Sequence, residues 1–448
     1  MSKTFLDLKR DVIDADLCTR CGSCVGVCRE GVLRFDDPLG VCLPASTDVC
    51  ASCDGICYDG CSGREVSWPD LNAQVFGRQP ESYLLGNYDG AYVGFATDVA
   101  LRAGAASGGV VSAMSAYLLD AKLVDGVVTL VDDETVPYRA VPRIVTDRAG
   151  VVAAAQSRYS ISPVNTILAE LAQREGVFAY VGLPCQVHSL RKLQQLGHPA
   201  ALKIKYVLGT YCGNVLHFDA VRSYLARSGI HDLSQVTSLK YRAGDWPGKL
   251  EIRLRDGRVF ALEKFYANYL IPFYIMQRCL LCTDLANEFA DVAVGDGWAP
   301  VYEERGKGWS IVLGRTPLGA ELLKAMRAAG RLELHPIVEE AAVNMHSHGL
   351  DLKKRGAFLR IERRRRWGRP VPEYGYTLGP VPWRRRALET ALGIVFQACS
   401  LPVSRWLINR VPLPLIGRAF KLARRVWIRS TKSSKRQGLL KTELYRTG

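Results

Sequence analysis

CTRCGSCVGVC occupies residues 18–28, and CASCDGICYDGC occupies residues 50–61. Nine of the fourteen cysteines in this 448-residue chain fall between Cys18 and Cys61. The first run has the spacing C-x2-C-x2-C-x3-C, in which three thiolates converge on three corners of a cubane [4Fe-4S] cluster. Its fourth cysteine points toward a neighbouring cluster. We therefore expect a ferredoxin-like module at this end of the chain.

The two runs together predict two [4Fe-4S] clusters with exchanged ligands. The expected ligands of the first cluster are Cys18, Cys21, Cys24 and Cys61, and those of the second are Cys28, Cys50, Cys53 and Cys57. Two features depart from the ferredoxin pattern. Arg29 and Ser62 stand where ferredoxins usually have Pro, and the second run has one extra residue before its third cysteine. Cys42 is left over.

Two other uses of these cysteines compete with clusters. Disulfide frameworks suit small secreted chains, whereas this chain is long and has no hydrophobic signal segment after MSKTFLDLKR. Zinc also binds paired C-x2-C units. Four cysteines within eleven residues crowd a single zinc ion, so the spacing favours iron–sulfur clusters. Many thiols that are not paired in disulfides also indicate a reducing compartment, and we expect a cytoplasmic protein.

Positive charge is concentrated at the carboxyl end of the chain. The formal net charge is +15, and residues 351–448 hold 24 Lys and Arg against 5 Asp and Glu. The hydrophobic content of 48% is ordinary for a globular protein. At this length we expect several domains: a ferredoxin-like module (1–66), a linker (67–90), an oxidoreductase core (91–335) and a helical basic tail (336–448).

The middle of the chain alternates predicted strands and helices. AYVGFATD from Ala91 predicts a strand, VVSAMSAYLLDA a helix and DGVVTLVD a second strand. Ser107, Gly108 and Gly109 precede the helix, where backbone N–H groups suit a phosphate. Small residues there also serve as an ordinary cap. Neither G-x-G-x-x-G nor a Walker lysine loop is present, so nicotinamide and ATP sites have no support.

Four further cysteines suggest a third site. VFAYVG and IKYVLGTY predict strands, and Cys185 and Cys212 follow them directly, where parallel strands usually place ligands. Cys279 and Cys282 form a C-x2-C pair in RCLLCTD. Single buried cysteines are usually inert, but a pair of ligands needs two more, so these four predict a cluster site assembled from distant loops. Cys399 lies in an apolar segment, and we expect it to be structural.

The expected architecture is an α/β body with a mixed sheet, preceded by the ferredoxin-like two-cluster module and followed by the helical basic tail. FADVAVGDGW predicts a strand that ends at Asp296. KLEIRLRDGRVFALEKF predicts a hairpin insertion with Asp256-Gly257 at its turn.

The tail combines Arg runs with apolar segments. IGRAFKLARRVWIR predicts an amphipathic basic helix with Ile416, Phe420, Ala423 and Trp427 on one face. Such a helix is typical of proteins that lie on anionic membranes, so we expect a peripheral location at the inner membrane face. The alternatives are an acidic partner, a basic face packed on the body and a nucleic-acid contact. The apolar content exceeds what a phosphate-binding stripe needs, which argues against nucleic acid.

Several of these stretches together resemble the coenzyme F420 hydrogenase/dehydrogenase beta-subunit family, from about residue 10 to about residue 375. They are CTRCGSCVGVC, AASGGVVSAM, SRYSISPV, VGLPCQVHSL, YCGN and RCLLCTDLANEFADVAVGDGW. The resemblance implies an FAD-bearing iron–sulfur oxidoreductase. Relatives oxidise the reduced deazaflavin coenzyme, or reduce chlorophyll-type tetrapyrroles with electrons from ferredoxin.

Carried over to this chain, the resemblance implies that Ser107, Gly108 and Gly109 contact the flavin phosphates and that Tyr159 and Asn165 line the flavin site. It also implies that Cys185, Cys212, Cys279 and Cys282 ligate the cluster next to the flavin. Flavin can exchange a hydride on one side and single electrons on the other. The expected partner is ferredoxin or a deazaflavin coenzyme.

No acid–base residue stands out in the sequence. His188, His346 and His348 are candidates, although lone histidines are more often structural. Two rival functions remain open. One is an electron-transfer subunit whose substrate site lies on a partner, and the other is a zinc-stabilised nucleic-acid-binding protein.

Overall fold

The structure is a computed structural model that describes residues 3–48, 50, 53–302 and 307–447. Its strands, in chain order, are β1 (Leu33–Phe35), β2 (Pro44–Ser46), β3 (Gly90–Ala96), β4 (Gly126–Asp132), β5 (Ala140–Val145), β6 (Phe178–Gly182), β7 (Ile204–Thr210), β8 (Val236–Ala243), β9 (Lys249–Leu254), β10 (Val259–Glu263), β11 (Val292–Asp296), β12 (Ser310–Gly314), β13 (Leu332–Pro336), β14 (Tyr376–Leu378) and β15 (Leu444–Arg446).

The α-helices span Phe5–Leu8, Ser23–Gly26, Ile56–Asp59, Trp68–Phe76, Val99–Gly104, Val110–Asp120, Arg148–Ala153, Leu168–Gln173, Pro184–Gln195, Pro199–Leu202, Asp219–Ala226, Lys264–Ala267, Ile271–Tyr274, Pro317–Ala328, Glu339–Asp351, Ala357–Arg366, Trp383–Ser400, Pro402–Ile408 and Leu413–Arg436. Turns of 3-10 helix span Val164–Ile167, Leu233–Gln235, Asn268–Leu270, Gln277–Leu281 and Pro300–Tyr302, and π-helical turns span Lys9–Ile13 and Leu352–Gly356.

A mixed eight-stranded sheet forms the body, in the order β13-β3-β12-β11-β7-β6-β4-β5. Its four central strands, β11, β7, β6 and β4, are parallel neighbours, and the outer strands pair antiparallel. The central strands are almost entirely apolar, as expected for strands covered on both faces. The predicted mixed α/β body is therefore confirmed.

The ferredoxin-like part packs directly on this body. Between its two cysteine runs lies a short antiparallel hairpin, formed by β1 and β2. A Cβ atom on Gly22 would lie 2.7 Å from the Pro163 carbonyl oxygen, so only glycine allows this approach. The Asn165 side chain donates to Ser23 Oγ at 2.8 Å, which joins the first cysteine run to the core.

The segment 67–90, expected to be a linker, contains the helix Trp68–Phe76. Trp68 and Leu71 are buried in the main core, and the Trp68 indole meets the Phe289 ring edge-on at 5.4 Å. Sequence periodicity did not reveal this helix because it is short and lies in an otherwise irregular stretch. Pro69 lies in its first turn, a position where proline is tolerated. The segment therefore joins the hydrophobic core.

The predicted hairpin insertion is a separate three-stranded sheet, in the order β10-β9-β8. Asp256 and Gly257 form the turn as predicted, and Gly257 has a φ of +87°. The sheet packs with the helix Asp219–Ala226 and with Ile416 of the tail in one hydrophobic cluster.

Three helices, Trp383–Ser400, Pro402–Ile408 and Leu413–Arg436, follow the core. Within the described residues, no single helix has the length and apolar composition of a membrane span. The first two helices pass that test only together, and a 75° bend separates them.

A buried network of charges fastens the first of these helices to the body. Arg385 pairs with Asp351 and with Glu389, each at 2.8 Å, and its side chain is 1% exposed. Arg355 also pairs with Asp351, and Arg360 also pairs with Glu389. Buried charges of this kind must be mutually compensated, because breaking one pair leaves an unpaired charge inside the protein.

Replacing Arg385 by Met should lower the free energy of unfolding by about 3 kcal/mol, since two buried carboxylates each lose a partner. Arg386→Met is the matched control. Arg386 pairs with Glu362 at 2.8 Å, and both of these side chains are partly exposed. We expect the control to cost no more than about 1 kcal/mol. Urea titrations followed by circular dichroism measure both, and equal losses would contradict a buried charge network.

Candidate cofactor and metal site

The site is built at the carboxyl edge of the parallel strands. Strand β6 ends at Gly182, and Cys185 then lies in the first turn of the helix Pro184–Gln195. Strand β7 ends at Thr210, and Cys212 follows two residues later. Since β6 and β7 are parallel neighbours, the two cysteines emerge at the same edge of the sheet.

The four predicted inner ligands surround one small cavity, whose lining includes Cys185, Cys212, Cys279 and Cys282. Burial raises the pKa of the Cys212 thiol to about 12, and the Cys279 and Cys282 sulfurs contribute to the rise. The pKa of Cys185 is raised well above its ordinary value by burial and by the other three sulfurs. The sequence prediction that these distant cysteines meet is consistent with this geometry.

The first predicted ligand group also converges. Burial raises the pKa of the Cys18 thiol to about 12, with further contributions from Cys61 and Cys21. The pKa of Cys24 is raised well above its ordinary value by burial and then by Cys18, Cys21 and Cys61. Cys61, from the second run, thus lies among the cysteines of the first.

The second predicted group is brought together in the same manner. Burial raises the pKa of the Cys57 thiol to about 12, followed by the effects of Cys53, Cys50 and Cys28. Cys28 comes from the first run and the other three from the second. Cys42 is buried in a cluster with Met276 and belongs to neither group.

The three groups follow one another in space. Cys57 interacts electrostatically with Cys61, which links the second group to the first. Cys21 in turn contributes to the raised pKa of Cys185, which links the first group to the inner one. Ser62, next to Cys61, donates a hydrogen bond of 2.8 Å to the Cys185 carbonyl oxygen. The order is therefore second group, first group, inner group.

Two buried cations accompany the inner cysteines, and neither was predicted from the sequence. Lys353 Nζ donates to the Cys279 carbonyl oxygen at 3.1 Å. Burial opposes its charge, but the Cys282, Cys279 and Cys212 sulfurs outweigh burial and raise the pKa of Lys353. Arg278 lies one residue before Cys279 and donates to the Gly63 carbonyl oxygen at 3.0 Å. The only sequence indication was the adjacency of Arg278 to the C-x2-C pair.

A cavity of about 550 Å³ adjoins the inner cysteines, since both cavities share Cys212 and Gln186 in their walls. This volume is typical of sites for small molecules and cofactors. The large cavity is lined by Ser107, Gly109 and Tyr159, three of the residues predicted to contact a flavin.

The glycine loop brings backbone to the cavity wall. Gly109 has a φ of +76° and precedes the helix Val110–Asp120, whose first turn also lines the cavity. Gly108 is not in the wall. A Cβ atom there would lie 2.7 Å from the Gly94 carbonyl oxygen, and its N–H donates to Ser310 Oγ at 3.0 Å. Gly108 therefore supports the loop from behind.

Asn165 is likewise absent from the cavity wall. It is fully buried, donates to the Gln186 carbonyl oxygen at 3.0 Å and accepts from the Tyr180 hydroxyl. Its place beside Ser23 makes it a joint between the ferredoxin-like part and the core. The resemblance-based expectation that it lines the flavin site does not match this geometry.

The three candidate histidines have different surroundings. His188 lies against the inner cavity, and its Nε2 is 2.9 Å from Asp284 Oδ2. His346 lines the large cavity, with Nε2 2.7 Å from the Asp296 carbonyl oxygen, and burial lowers its pKa. His348 lines neither cavity.

A charged group that was not predicted from the sequence forms part of the large cavity wall. Arg242 is 2% exposed, lies 3.3 Å from Asp296 and donates to the Tyr159 hydroxyl at 3.0 Å. Lys264 Nζ lies 3.5 Å from Asp296 and 4.2 Å from the centre of the Trp298 ring. These residues come from β8, β11 and the segment after the hairpin, so only the fold brings them together.

Burial and neighbouring charges set the ionisation of this group. Burial opposes the charge of Asp296, but Arg242 and Lys264 outweigh it and lower the pKa of the carboxyl to about 2. Burial lowers the pKa of Lys264 to about 8, although Asp296 opposes the shift. This group therefore combines the Asp296 carboxylate, the permanent cation Arg242 and Lys264, which can give up its proton near neutral pH.

Family models match most of the regions described above. Residues 91–169 match the N-terminal model, and residues 176–340 the C-terminal model, of the coenzyme F420 hydrogenase/dehydrogenase beta subunit. Residues 11–34, which contain the first cysteine run, match a 4Fe-4S binding domain.

Two similar proteins carry names that refer to coenzyme F420. The coenzyme F420 hydrogenase subunit beta of Methanococcus voltae is 30% identical over 299 residues, which cover 64% of this chain and 99% of that protein. The coenzyme F420-dependent sulfite reductase of Methanocaldococcus jannaschii is 28% identical over 343 residues, or 73% of this chain. The match spans about half (48%) of that longer protein.

A solved structure shares the fold. A chain of the F420-reducing [NiFe] hydrogenase complex from Methanosarcina barkeri superposes with a TM-score of 0.51 and 22% identity, covering 65% of this chain and 97% of that one. The sequence resemblance to the family is thus confirmed by two adjoining family models and by a relative matched over nearly its whole length. The chain belongs to the coenzyme F420 hydrogenase/dehydrogenase beta-subunit family, whose members are oxidoreductases or subunits of them.

Proposed function

We propose that this chain is an FAD-dependent iron–sulfur oxidoreductase that passes electrons between three [4Fe-4S] clusters and a ring-type organic substrate, such as a reduced deazaflavin coenzyme. The observation that carries the proposal is the continuous series of three four-cysteine groups that ends beside the 550 Å³ cavity. When bound, FAD supplies hydride exchange and single-electron exchange, and the clusters supply single-electron transfer.

The donor sets suit clusters better than zinc. A zinc site needs thiolate or imidazole ligands about 2.3 Å or less from one ion. The first cysteine run places four cysteines within eleven residues, which crowds a single zinc ion. A cubane cluster instead spreads its thiolates over separate iron corners. The cysteine spacing in the sequence therefore supports iron–sulfur clusters over the zinc-stabilised nucleic-acid-binding protein.

The cavity suits a flavin nucleotide for three reasons. Its volume falls in the range of cofactor sites. The helix Val110–Asp120 begins in the cavity wall, and the N-terminus of a helix favours phosphate. Tyr159 and Trp298 add aromatic rings to the wall. Ser107 and Gly109 would hold the phosphates, with Gly108 supporting the loop from behind.

The charged wall would orient the substrate in the cavity and supply it with a proton. Arg242 is held by Asp296 and Tyr159, so it presents a fixed positive charge. Lys264 is a group in this wall whose lowered pKa, about 8, suits proton transfer near neutral pH. Burial lowers the pKa of His346, so its imidazole is neutral near pH 7. A carboxylate or oxyanion on the substrate would be attracted to the two cations.

The relatives also support a role within a larger assembly. Those from Methanococcus voltae and Methanosarcina mazei are named as subunits of a hydrogenase and of an F420H2 dehydrogenase. An electron-transfer subunit needs clusters that continue from an interior site toward another surface. The series of cysteine groups has that arrangement, since Cys50 and Cys53 of the second group are only partly buried. We therefore propose that a protein redox partner binds beside the second group. We also propose a cytoplasmic location.

Chemical analysis tests the cofactor content. Protein purified without oxygen should hold about twelve iron and twelve sulfide per chain, four of each per cubane site, together with one FAD. Cys185→Ser should lower iron and sulfide to about eight, because the inner group loses a ligand. Cys399→Ser is the control and should leave both near twelve. Zinc in place of iron, or an unchanged iron content in the Cys185 variant, would contradict the proposal.

The cation beside the inner group should set its potential. Lys353→Met should lower the reduction potential of the inner cluster by about 50 mV, because the variant lacks the positive charge that stabilises the added electron. Lys353→Arg keeps the charge and should retain most of the potential. Lys192→Met is the matched control, since Lys192 Nζ contacts the Cys61 carbonyl oxygen at 2.9 Å in another group.

Redox titrations followed by electron paramagnetic resonance measure these potentials. If Lys353→Met and Lys353→Arg shift the inner potential equally, Lys353 acts through packing and its charge has no role in setting the potential. A shift of the inner cluster in Lys192→Met of the same size would also contradict a specific effect of Lys353.

The charged wall predicts a dependence of stability on pH. Lys264 has a pKa of about 8 in the folded protein and 10.5 when unperturbed. Between these values the unfolded chain binds more protons, so the free energy of unfolding rises with pH. Asp296→Asn removes the partner carboxylate, which lowers the folded pKa of Lys264 and extends this rise to lower pH.

Asp296→Asn should therefore lose about 3 kcal/mol near neutral pH, and the loss should shrink as the pH is raised toward 9. The loss should not vanish, because Arg242 stays charged. Asp256→Asn in the exposed hairpin turn is the control and should show a small, pH-independent change. Urea titrations across this pH range measure both, and a loss in Asp296→Asn that is constant with pH would contradict the assigned role of Lys264.

A further inference from the structure

The tail helices carry apolar side chains on the outside of the molecule. Six of these side chains define what we call the tail surface: Leu401, Val403, Trp406, Leu407, Leu415 and Leu422. Each is at least half exposed, and Leu422 is 64% exposed. Exposed apolar residues scattered singly are normal, but six within 22 residues of the chain are a concentration of the kind found at interaction sites.

The fold determines which face of the last helix points outward. Ile416 is 6% exposed and packs in the core of the hairpin insertion. Lys421 Nζ lies 3.9 Å from the centre of the Tyr266 ring, also on the body. Leu415 and Leu422 are seven residues apart, so they share the exposed face.

The sequence pattern predicts an outward apolar face made of Ile416, Phe420, Ala423 and Trp427. That prediction is wrong for Ile416 and Phe420, which pack on the body. The Trp427 side chain lies outside the described residues. The physical reason is that the helix has two apolar stripes, and the one with Ile416 is used to attach the helix to the protein. The other stripe, with Leu415 and Leu422, is the one left at the surface.

Positive charge surrounds the tail surface. Residues 390–442 contain eleven Lys and Arg and no Asp or Glu. Arg418 and Arg425 are exposed on the same helix as the two leucines. Arg410 lies 3.7 Å from the centre of the Trp406 ring, which joins a cation to an exposed aromatic side chain. The tail surface therefore combines exposed apolar side chains with positively charged side chains.

We propose that the tail surface docks on an anionic lipid membrane. Leucine and tryptophan side chains would enter the headgroup boundary, and the arginines would pair with lipid phosphates. A nucleic acid would use the arginines but would leave the leucines exposed to water. The apolar area therefore favours a lipid surface over a nucleic acid as the occupant.

Docking would bring the redox cavity close to the lipid. The helix Leu413–Arg436 contacts the helix Lys264–Ala267 and the turn Asn268–Leu270. Lys264, Ala267 and Leu270 also line the large cavity. One short segment of chain thus contacts both the last tail helix and the cavity. This docking is independent of which cofactors the chain binds.

Vesicle flotation of the full chain tests the proposal. We expect binding to phosphatidylcholine vesicles that contain about 30% phosphatidylglycerol, weaker binding to pure phosphatidylcholine, and loss of binding as salt is raised. Leu415→Ser/Leu422→Ser should lower the partition coefficient at least tenfold, since each leucine loses its apolar contact with lipid. Arg418→Glu/Arg425→Glu should lower it at least tenfold on anionic vesicles alone.

Matched controls carry the same changes elsewhere on the surface. Val99→Ser/Val338→Ser alters side chains that are 80% and 71% exposed, and Arg255→Glu/Arg331→Glu reverses two exposed charges away from the tail. Both should bind as the parent chain does. Thermal unfolding shows whether each variant is folded. If the leucine variant is unfolded, binding by the arginine variant tests the proposal alone.

Two results would overturn the proposal. One is unchanged binding by the folded arginine variant. The other is a parent chain that ignores anionic vesicles and binds duplex DNA, RNA or an acidic polypeptide, which would make the tail surface a macromolecular contact of another class.

Discussion

The packing of twelve cysteine thiols into three close groups is the constraint on which this structure depends. Each sulfur that loses its proton makes the next one harder to ionise, and burial raises the barrier further. The raised pKa values of Cys24 and Cys185 express this conflict. Thiolates in such surroundings need positive charge close by, and metal ions are the usual source. Lys353 and Arg278 contribute the part that the protein itself supplies.

The mixed sheet and the ferredoxin-like part solve this constraint together. Parallel strands β6 and β7 deliver two inner cysteines to one edge, and the C-x2-C pair completes the set from a 3-10 turn. The first cysteine run is pressed onto the same region, with Gly22 against Pro163 and Asn165 donating to Ser23. Close packing between the two parts thus sets the spacing between successive groups, which is what electron transfer over a series of centres requires.

How much of this could be predicted from sequence follows from how local each feature is. Cysteine spacing is local, so the ligand groups of the first two sites could be proposed from it. The positions of Cys185 and Cys212 directly after predicted strands are also local features. Lys353, Arg242 and Asp296 come from separated elements and have no motif, so only the folded chain brings them to the cavities. Asn165 belongs to a matching stretch, yet its side chain packs at an internal joint. The basic helix showed two apolar stripes, and sequence periodicity alone could not tell which one the body covers.

We propose that three clusters lie in series and that the innermost adjoins the large cavity. This arrangement can be tested by anomalous X-ray scattering from crystals grown without oxygen, recorded on both sides of the iron absorption edge and again at the zinc edge. We predict three iron peaks, one within each four-cysteine group, with the inner peak beside Cys212 and the cavity wall. Iron missing from the inner group, or single zinc peaks in place of iron, would contradict it.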